Sequence, residues 1–277
     1  DIKNYKKGKE VCKKSLQEQL GLEVNAGAPL CVMISRLVDQ KGLDLLLYVL
    51  DEMLFDGMQI VVLGTGDSYY ENALVETASR NPGKMCACID FDNGLAHTLY
   101  AAADIFLMPS LFEPCGLSQL VSMAYGTVPV VRETGGLKDT VTPYNEFTGE
   151  GNGFSFANIN AHEFLFTTKY ACDLYRNHKD VWDNIIKAGM SGDYSWKKSA
   201  GEYAGLYSLI TGIPLPNVDK APSSVKLEED EPAEEKKAEV KEEAPKKAAT
   251  KKTVKKAAPK KEAAVAPNDE LIERMQA

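Results

Sequence analysis

Apolar residues in the first 216 positions fall into two alternating rhythms: short solid runs and longer periodic stretches. The runs Leu30–Ile34, Gln59–Leu63, Met85–Asp90, Ile105–Met108, Val128–Val131 and Phe154–Phe156 have the length and composition of buried strands. Between them the spacing becomes helical, over Leu43 to about Leu54, Ser68–Arg80, Leu95–Ala102 and Ala161–Tyr175. Leu117, Leu120, Val121 and Ala124 recur at intervals of three and four and predict a helix closed by Gly126. Ser15–Leu22 reads as a short amphipathic helix with Leu16 and Leu20 on one side. Trp196 to about Ile210 reads as a last helix, N-capped by Ser195. Strands alternating with helices of this length require crossover connections. The expected fold is therefore α/β, a Rossmann-like parallel sheet covered on both faces.

Right-handed crossovers place every strand-to-helix loop at one sheet edge, where ligands of such folds bind. Those loops carry the candidate chemistry. Arg36 and Lys41 follow the first strand, and a forked guanidinium beside a mobile ammonium suits a pyrophosphate, although surface basic residues are common. Gly64 and Gly66 follow the second strand, without the third glycine of a dinucleotide fingerprint or a Walker lysine. Phe91 opens the loop after the third strand; it could stack a nucleobase or belong to the core. The central loop, Pro109–Ser118, carries Glu113, Cys115, Gly116, Leu117 and Ser118, and its helix start offers N–H groups to an anion. An isolated Glu-Pro-Cys-Gly would read as a solvated turn; its meaning depends on what else converges on that edge.

Composition divides the chain. Residues 1–216 hold 18 Lys and Arg against 26 Asp and Glu; from Asn217 there are 14 of each and no aromatic residue. An acidic body argues against general nucleic-acid binding, which needs a basic stripe. The tail reads as a disordered polyampholyte, either solubilising or able to bind an anionic partner through its lysine pairs. The six cysteines form no Cys-x-x-Cys pair, and His97, His162 and His178 are scattered. No metal site, cofactor or disulfide framework is expected, and a reducing compartment is. No apolar run approaches membrane-spanning length. The expected organisation is 1–25 as linker and short helix, 26–190 as the Rossmann-like domain, 191–216 as a C-terminal crossover helix and 217–277 as the tail.

The motifs Ser-Arg-Leu-Val-Asp-Gln-Lys-Gly-Leu-Asp (35–44), Gly-Thr-Gly-Asp (64–67), Pro-Ser-Leu-Phe-Glu-Pro-Cys-Gly-Leu-Ser-Gln-Leu (109–120) and the Thr-Gly-Gly-Leu turn at 134–137 occur in order. Together they resemble the C-terminal half of bacterial glycogen synthases and plant starch synthases, over about residues 4–211. The resemblance implies the GT-B fold, two Rossmann-like domains facing across a cleft. It also implies retaining transfer of glucose from ADP-glucose (or UDP-glucose) to an α-1,4-glucan acceptor, with no obligatory metal. By the same resemblance Arg36 and Lys41 grip the donor phosphates, and Glu113 faces the donor glucose. Cys115, Gly116 and Leu117 give backbone contacts to the sugar, Ser118 holds the distal phosphate and Phe91 stacks on the base. Val121 stands where broader relatives carry a second Glu. The family's N-terminal Lys-x-Gly-Gly-Leu signature does not occur here, so the chain reads as a donor-binding half, inactive alone. The implied setting is cytoplasmic, or plastidic if a transit peptide lies upstream. The alternatives are a non-catalytic nucleotide-sugar-binding module and an epimerase of similar fold.

Overall fold

The computed structural model describes residues 1–213; the expectation for residues 217–277 lies outside the described residues. Six strands, β1 (Leu30–Ile34), β2 (Gln59–Leu63), β3 (Met85–Cys88), β4 (Ile105–Met108), β5 (Val128–Arg132) and β6 (Phe154–Phe156), form one sheet in the order β3-β2-β1-β4-β5-β6. Every pairing is parallel, as the crossover argument requires. Val32 of β1 lies opposite Val61 on one side and Phe106 on the other. The chain runs outward one way through β2 and β3, then returns to build β4, β5 and β6. The strand order thus reverses between β1 and β4, and that reversal opens a crevice at the carboxyl ends.

The helices are α1 (Tyr5–Gln19), α2 (Leu43–Phe55), α3 (Ser68–Arg80), α4 (Asn93–Ala102), α5 (Ser118–Ala124), α6 (Gly135–Thr140), α7 (Ala161–Asn177), α8 (Lys179–Met190) and α9 (Trp196–Thr211). Alternation along the strands divides the core in two. Met33, Ile60, Val62 and Leu107 pack with Leu46, Leu50, Phe164 and Trp182 from α2, α7 and α8. Val32, Val61 and Phe106 pack on the other face with Leu16 of α1 and Leu99 of α4. Strands covered on both faces explain why the runs read as solidly apolar.

Four elements depart from the sequence reading. Helix α1 begins at Tyr5 rather than near Ser15. Its first half is lysine-rich, and buried polar contacts hold it where apolar periodicity is weak. Lys13 Nζ donates to Asp104 Oδ2 at 2.6 Å, to the Ala28 carbonyl at 2.6 Å and to the Tyr175 hydroxyl at 2.9 Å. Helix α8 occupies a stretch assigned to no element, although Trp182, Ile185, Ile186 and Gly189 bury one face at helical spacing. Helix α5 has the opposite phase to the apolar pattern: Gln119, Ser122 and Met123 are buried while Leu117 is 71% exposed. Strand β3 also ends at Cys88, short of Asp90. Helix α9, capped by the Ser195 side chain as expected, buries none of its residues; Trp196, Tyr207, Leu209 and Ile210 are all exposed.

Candidate active site

The loop after β1 and the loop after β4 are locked together across the crevice. A single 3-10 turn, Asp39–Lys41, brings Gln40 against the central loop. The Gln40 carbonyl accepts from Leu111 N–H at 2.8 Å, and its side-chain amide donates to the Phe112 carbonyl at 3.1 Å. The next residue, Lys41, forms an ion pair with Glu113, Nζ to Oε2 at 2.6 Å, and Ser110 Oγ lies 3.4 Å from the same carboxylate oxygen. Gly42 then turns the chain into α2 with φ +72; a methyl there would sit 2.0 Å from the Pro109 carbonyl oxygen. Only glycine lets the two backbones approach this closely.

The loop after β5 grips the central loop from the far side. Gly136 N–H points at the carbonyls of Glu113 and Pro114, at 3.2 and 3.1 Å. A methyl on Gly135 (φ +44) would meet the Glu113 carbonyl oxygen at 2.2 Å. Arg132, at the end of β5, donates through Nε to the Ser110 carbonyl at 2.9 Å and also reaches the Leu111 carbonyl. Buried Gln119 holds the inside of the turn, its amide donating to the Gly116 carbonyl at 2.9 Å and to Thr140 Oγ1 at 3.1 Å. These contacts explain the reversed phase of α5. The carbonyls of a tight loop need donors, and a buried amide supplies them where a leucine could not.

Between the two loops lies a pocket of about 210 Å³. Arg36, Lys41 and Ser118 line it, together with Ser35, Ser110 and Met108. Glu113 reaches it through its pairing with Lys41; their side chains are 12% and 15% exposed, so the pair is shielded but open to a ligand. Arg36 is exposed, and its guanidinium touches Gln40 Oε1 at 3.4 Å. Tyr100 is buried against Phe106; burial pushes its phenol up, and a hydrogen bond with Ser118 acts the other way. Cys115 and Leu117 are exposed at the rim beside Gly116. Phe91 is 82% exposed and lies beyond β2 at the end of β3, so it is not a core aromatic. Gly64 and Gly66 pack against the β1 loop, where a methyl would meet the carbonyls of Ser35 and Leu37 at 1.8 and 2.2 Å. That crowding accounts for both glycines without a ligand. Ser35, Ser110, Gln40, Gln119 and Arg132 were absent from the sequence-derived set. Each lies inside a quoted motif or within two residues of one, which is the signal that could have found them. Among the described residues no cluster of three or more His, Cys, Asp or Glu could hold a metal ion.

Fold and crevice together define a doubly wound α/β domain whose switch point gathers two basic groups, a carboxylate and three hydroxyls. The chain belongs to the group 1 glycosyl transferases, whose family model matches residues 17–175. It is 53% identical over 195 residues to a glycogen synthase of Desulfitobacterium hafniense, covering 70% of this chain and 42% of that protein. It is 50% identical over 214 residues to a glycogen synthase of Clostridium beijerinckii, covering 76% of this chain and 44% of that one. Among solved structures, the catalytic domain of starch synthase IV from Arabidopsis thaliana, bound to ADP and acarbose, superposes with a TM-score of 0.69 at 35% identity. That match covers 76% of this chain and 44% of the plant chain. The chain thus spans less than half the length of the curated relatives it matches.

Proposed function

We propose that this chain is the donor-binding half of a glycogen or starch synthase, which transfers glucose from ADP-glucose to the non-reducing end of an α-1,4-glucan with retention of configuration. On this reading residues 26–190 form the donor domain, and 191–216 cross back to a second Rossmann-like half. The observation that carries the proposal is the meeting of Arg36, Lys41 and Ser118 in one pocket at the switch point, with Glu113 held against Lys41. The plant starch synthase, similar at 35% identity, is bound to ADP and acarbose, which supports a nucleoside diphosphate here and a glucan opposite it.

The chemistry follows from charge. Breaking the bond between glucose and diphosphate builds negative charge on the leaving group and positive charge at the anomeric carbon. Arg36 and Lys41 stabilise the former, in a site fixed beforehand by the interlocked loops. Glu113 faces the sugar, orienting its hydroxyls and supporting the positive centre. Cys115, Gly116 and Leu117 offer backbone contacts to the sugar, and Ser118 holds the distal phosphate. Phe91, exposed at the crevice edge, is free to stack on the base, with Gly64 and Gly66 between it and the phosphates. The exposed face of α9 fits a helix that packs on the second half. A cytoplasmic setting suits six free thiols and a nucleotide-sugar donor.

An epimerase would need an acid–base histidine at the sugar. His97 instead contacts the Tyr125 hydroxyl at 3.0 Å, His162 packs on Tyr48 and His178 lies near Asp173; none lines the pocket. A non-catalytic sugar-nucleotide module is separated by one pair of measurements: calorimetry of the chain with ADP, and primer elongation by the chain and by its full-length parent. The expected result is weak ADP binding and no elongation by the chain alone, with elongation by the parent. No ADP binding even at millimolar concentration, or elongation by the isolated chain, overturns the reading.

A further inference from the structure

Outside the crevice, one cluster of reactive side chains is used by nothing described so far. Strand β3 lies at the edge of the sheet and contains Cys86 and Cys88 on the same face, beside Leu95 and Ala96 of α4. Both residues are half-buried, and their sulfurs are 3.6 Å apart. They pair in register with Val61 and Leu63 of β2, so the strand that carries them is held extended.

That extension decides what the two thiols can do. Residues two apart on a strand are separated by about 6.5 Å, and their Cβ atoms by nearly as much. A disulfide needs its Cβ atoms within roughly 3.5–4.5 Å, so direct bond formation would pull Cys88 out of the ladder. A single atom bonded to both sulfurs makes no such demand. Two bonds of about 2.3 Å, the length of a zinc–thiolate bond, span roughly 3.3–3.8 Å as the angle between them opens from a pyramidal 90° to the tetrahedral value. The observed separation is already close to that span.

We propose that Cys86 and Cys88 are a two-thiolate clamp that captures one thiophilic atom, and that its ligand class is the monosubstituted trivalent arsenicals. The ligand count selects this class. No third His, Cys, Asp or Glu among the described residues completes a metal site there, whereas an arsenical already bonded to carbon needs only two sulfurs. In the reaction the arsenic–oxygen bond and two S–H bonds break, two arsenic–sulfur bonds form, and the oxygen leaves with both protons as water. No electron is transferred, so no oxidant is required. The pair is also primed for attack: a hydrogen bond with Cys88 draws the Cys86 thiol down to about 7 against the opposing effect of burial, and Cys88 shifts upward in return.

The test uses the whole 277-residue chain. Phenylarsine oxide should add once per chain by intact mass, consume two thiols, and map by peptide analysis of the wild-type chain to the segment holding Cys86 and Cys88. A dithiol such as 2,3-dimercaptopropanol should remove it; a monothiol should not. Cys86→Ser and Cys88→Ser should each weaken capture roughly 100-fold, the loss of an intramolecular second contact. Cys115→Ser should retain the adduct. An adduct mapping elsewhere, for example to buried Cys31 and Cys172, overturns the proposal. So does ready formation of a Cys86–Cys88 disulfide with oxidised glutathione, since it would mean the strand does not hold the sulfurs apart.

Discussion

Lys41 and Glu113, which enter the crevice from different strands, hold each other at 2.6 Å. An ammonium cannot serve a carboxylate and a diphosphate equally well. On the proposed reading, a donor phosphate entering the pocket would compete with Glu113 for Lys41, and drawing the ammonium away would free the carboxylate towards the sugar.

Two substitutions separate the partners. Lys41→Ala should weaken ADP binding by about 1.5–3 kcal/mol, the worth of a charge-assisted contact. Glu113→Gln should act in the opposite direction, binding ADP several-fold more tightly because Lys41 no longer has a competing anion, while the full-length enzyme loses turnover. Calorimetry on both variants checks the signs; tighter binding by Lys41→Ala, or weaker binding by Glu113→Gln, would contradict the competition.

The close backbone approaches at Gly42 and Gly135 predict a steric cost. Gly42→Ala and Gly135→Ala should each lower stability by about 2 kcal/mol or more, since φ is positive and the added methyl meets a carbonyl oxygen. Gly201→Ala, in open space on α9, should be neutral or slightly stabilising. Denaturant midpoints measured in parallel decide this.

Lys13 and Asp104 form a buried pair at 2.6 Å, with side chains 5% and 10% exposed. Removing one partner, as in Lys13→Met, should cost about 3–5 kcal/mol because Asp104 is left buried and unpaired. The double variant Lys13→Met, Asp104→Asn should recover part of that loss. A double variant destabilised by the sum of Lys13→Met and Asp104→Asn, each measured alone, would show that the two charges are not coupled.

At the other end of α1, Asp183 accepts from the Tyr5 hydroxyl at 2.8 Å and pairs with Lys6. Burial pushes its carboxyl upward, but the bonds from Lys6 and Tyr5 outweigh burial and leave it below the ordinary carboxylate value. The unfolded chain therefore binds the proton first as the solution is acidified. The stabilisation is fully present above about pH 4 and is lost as pH falls through the folded-state value. Asp183→Asn should flatten that part of the acid-unfolding curve, and an unchanged curve would rule out the linkage.

The sheet was legible in the sequence because strands covered on both faces must be apolar throughout, and strand-end loops must then share an edge. Arg36, Lys41, Glu113 and Ser118 could be placed on that edge from order alone. Less visible were contacts between a side chain and a distant carbonyl. Gln119 and Arg132 look like ordinary surface residues until the loops they brace are seen, and Leu117 looks like core until the buried amide takes its place. The stretch of α1 before Ser15 is hidden for the same reason, since Lys13 is held by oxygens from three separate segments. Helix α8 carries a readable period, with Trp182, Ile185, Ile186 and Gly189 on its buried face.

The glycine contacts have a bearing on how this crevice can be re-engineered. Because the backbones of the loops after β1, β4 and β5 nest in one another, none can be exchanged for a foreign loop without reshaping its neighbours. The crevice wall therefore behaves as one block in grafting, and the positions open to change without reshaping it are those exposed on its rim, such as Phe91, Cys115 and Leu117.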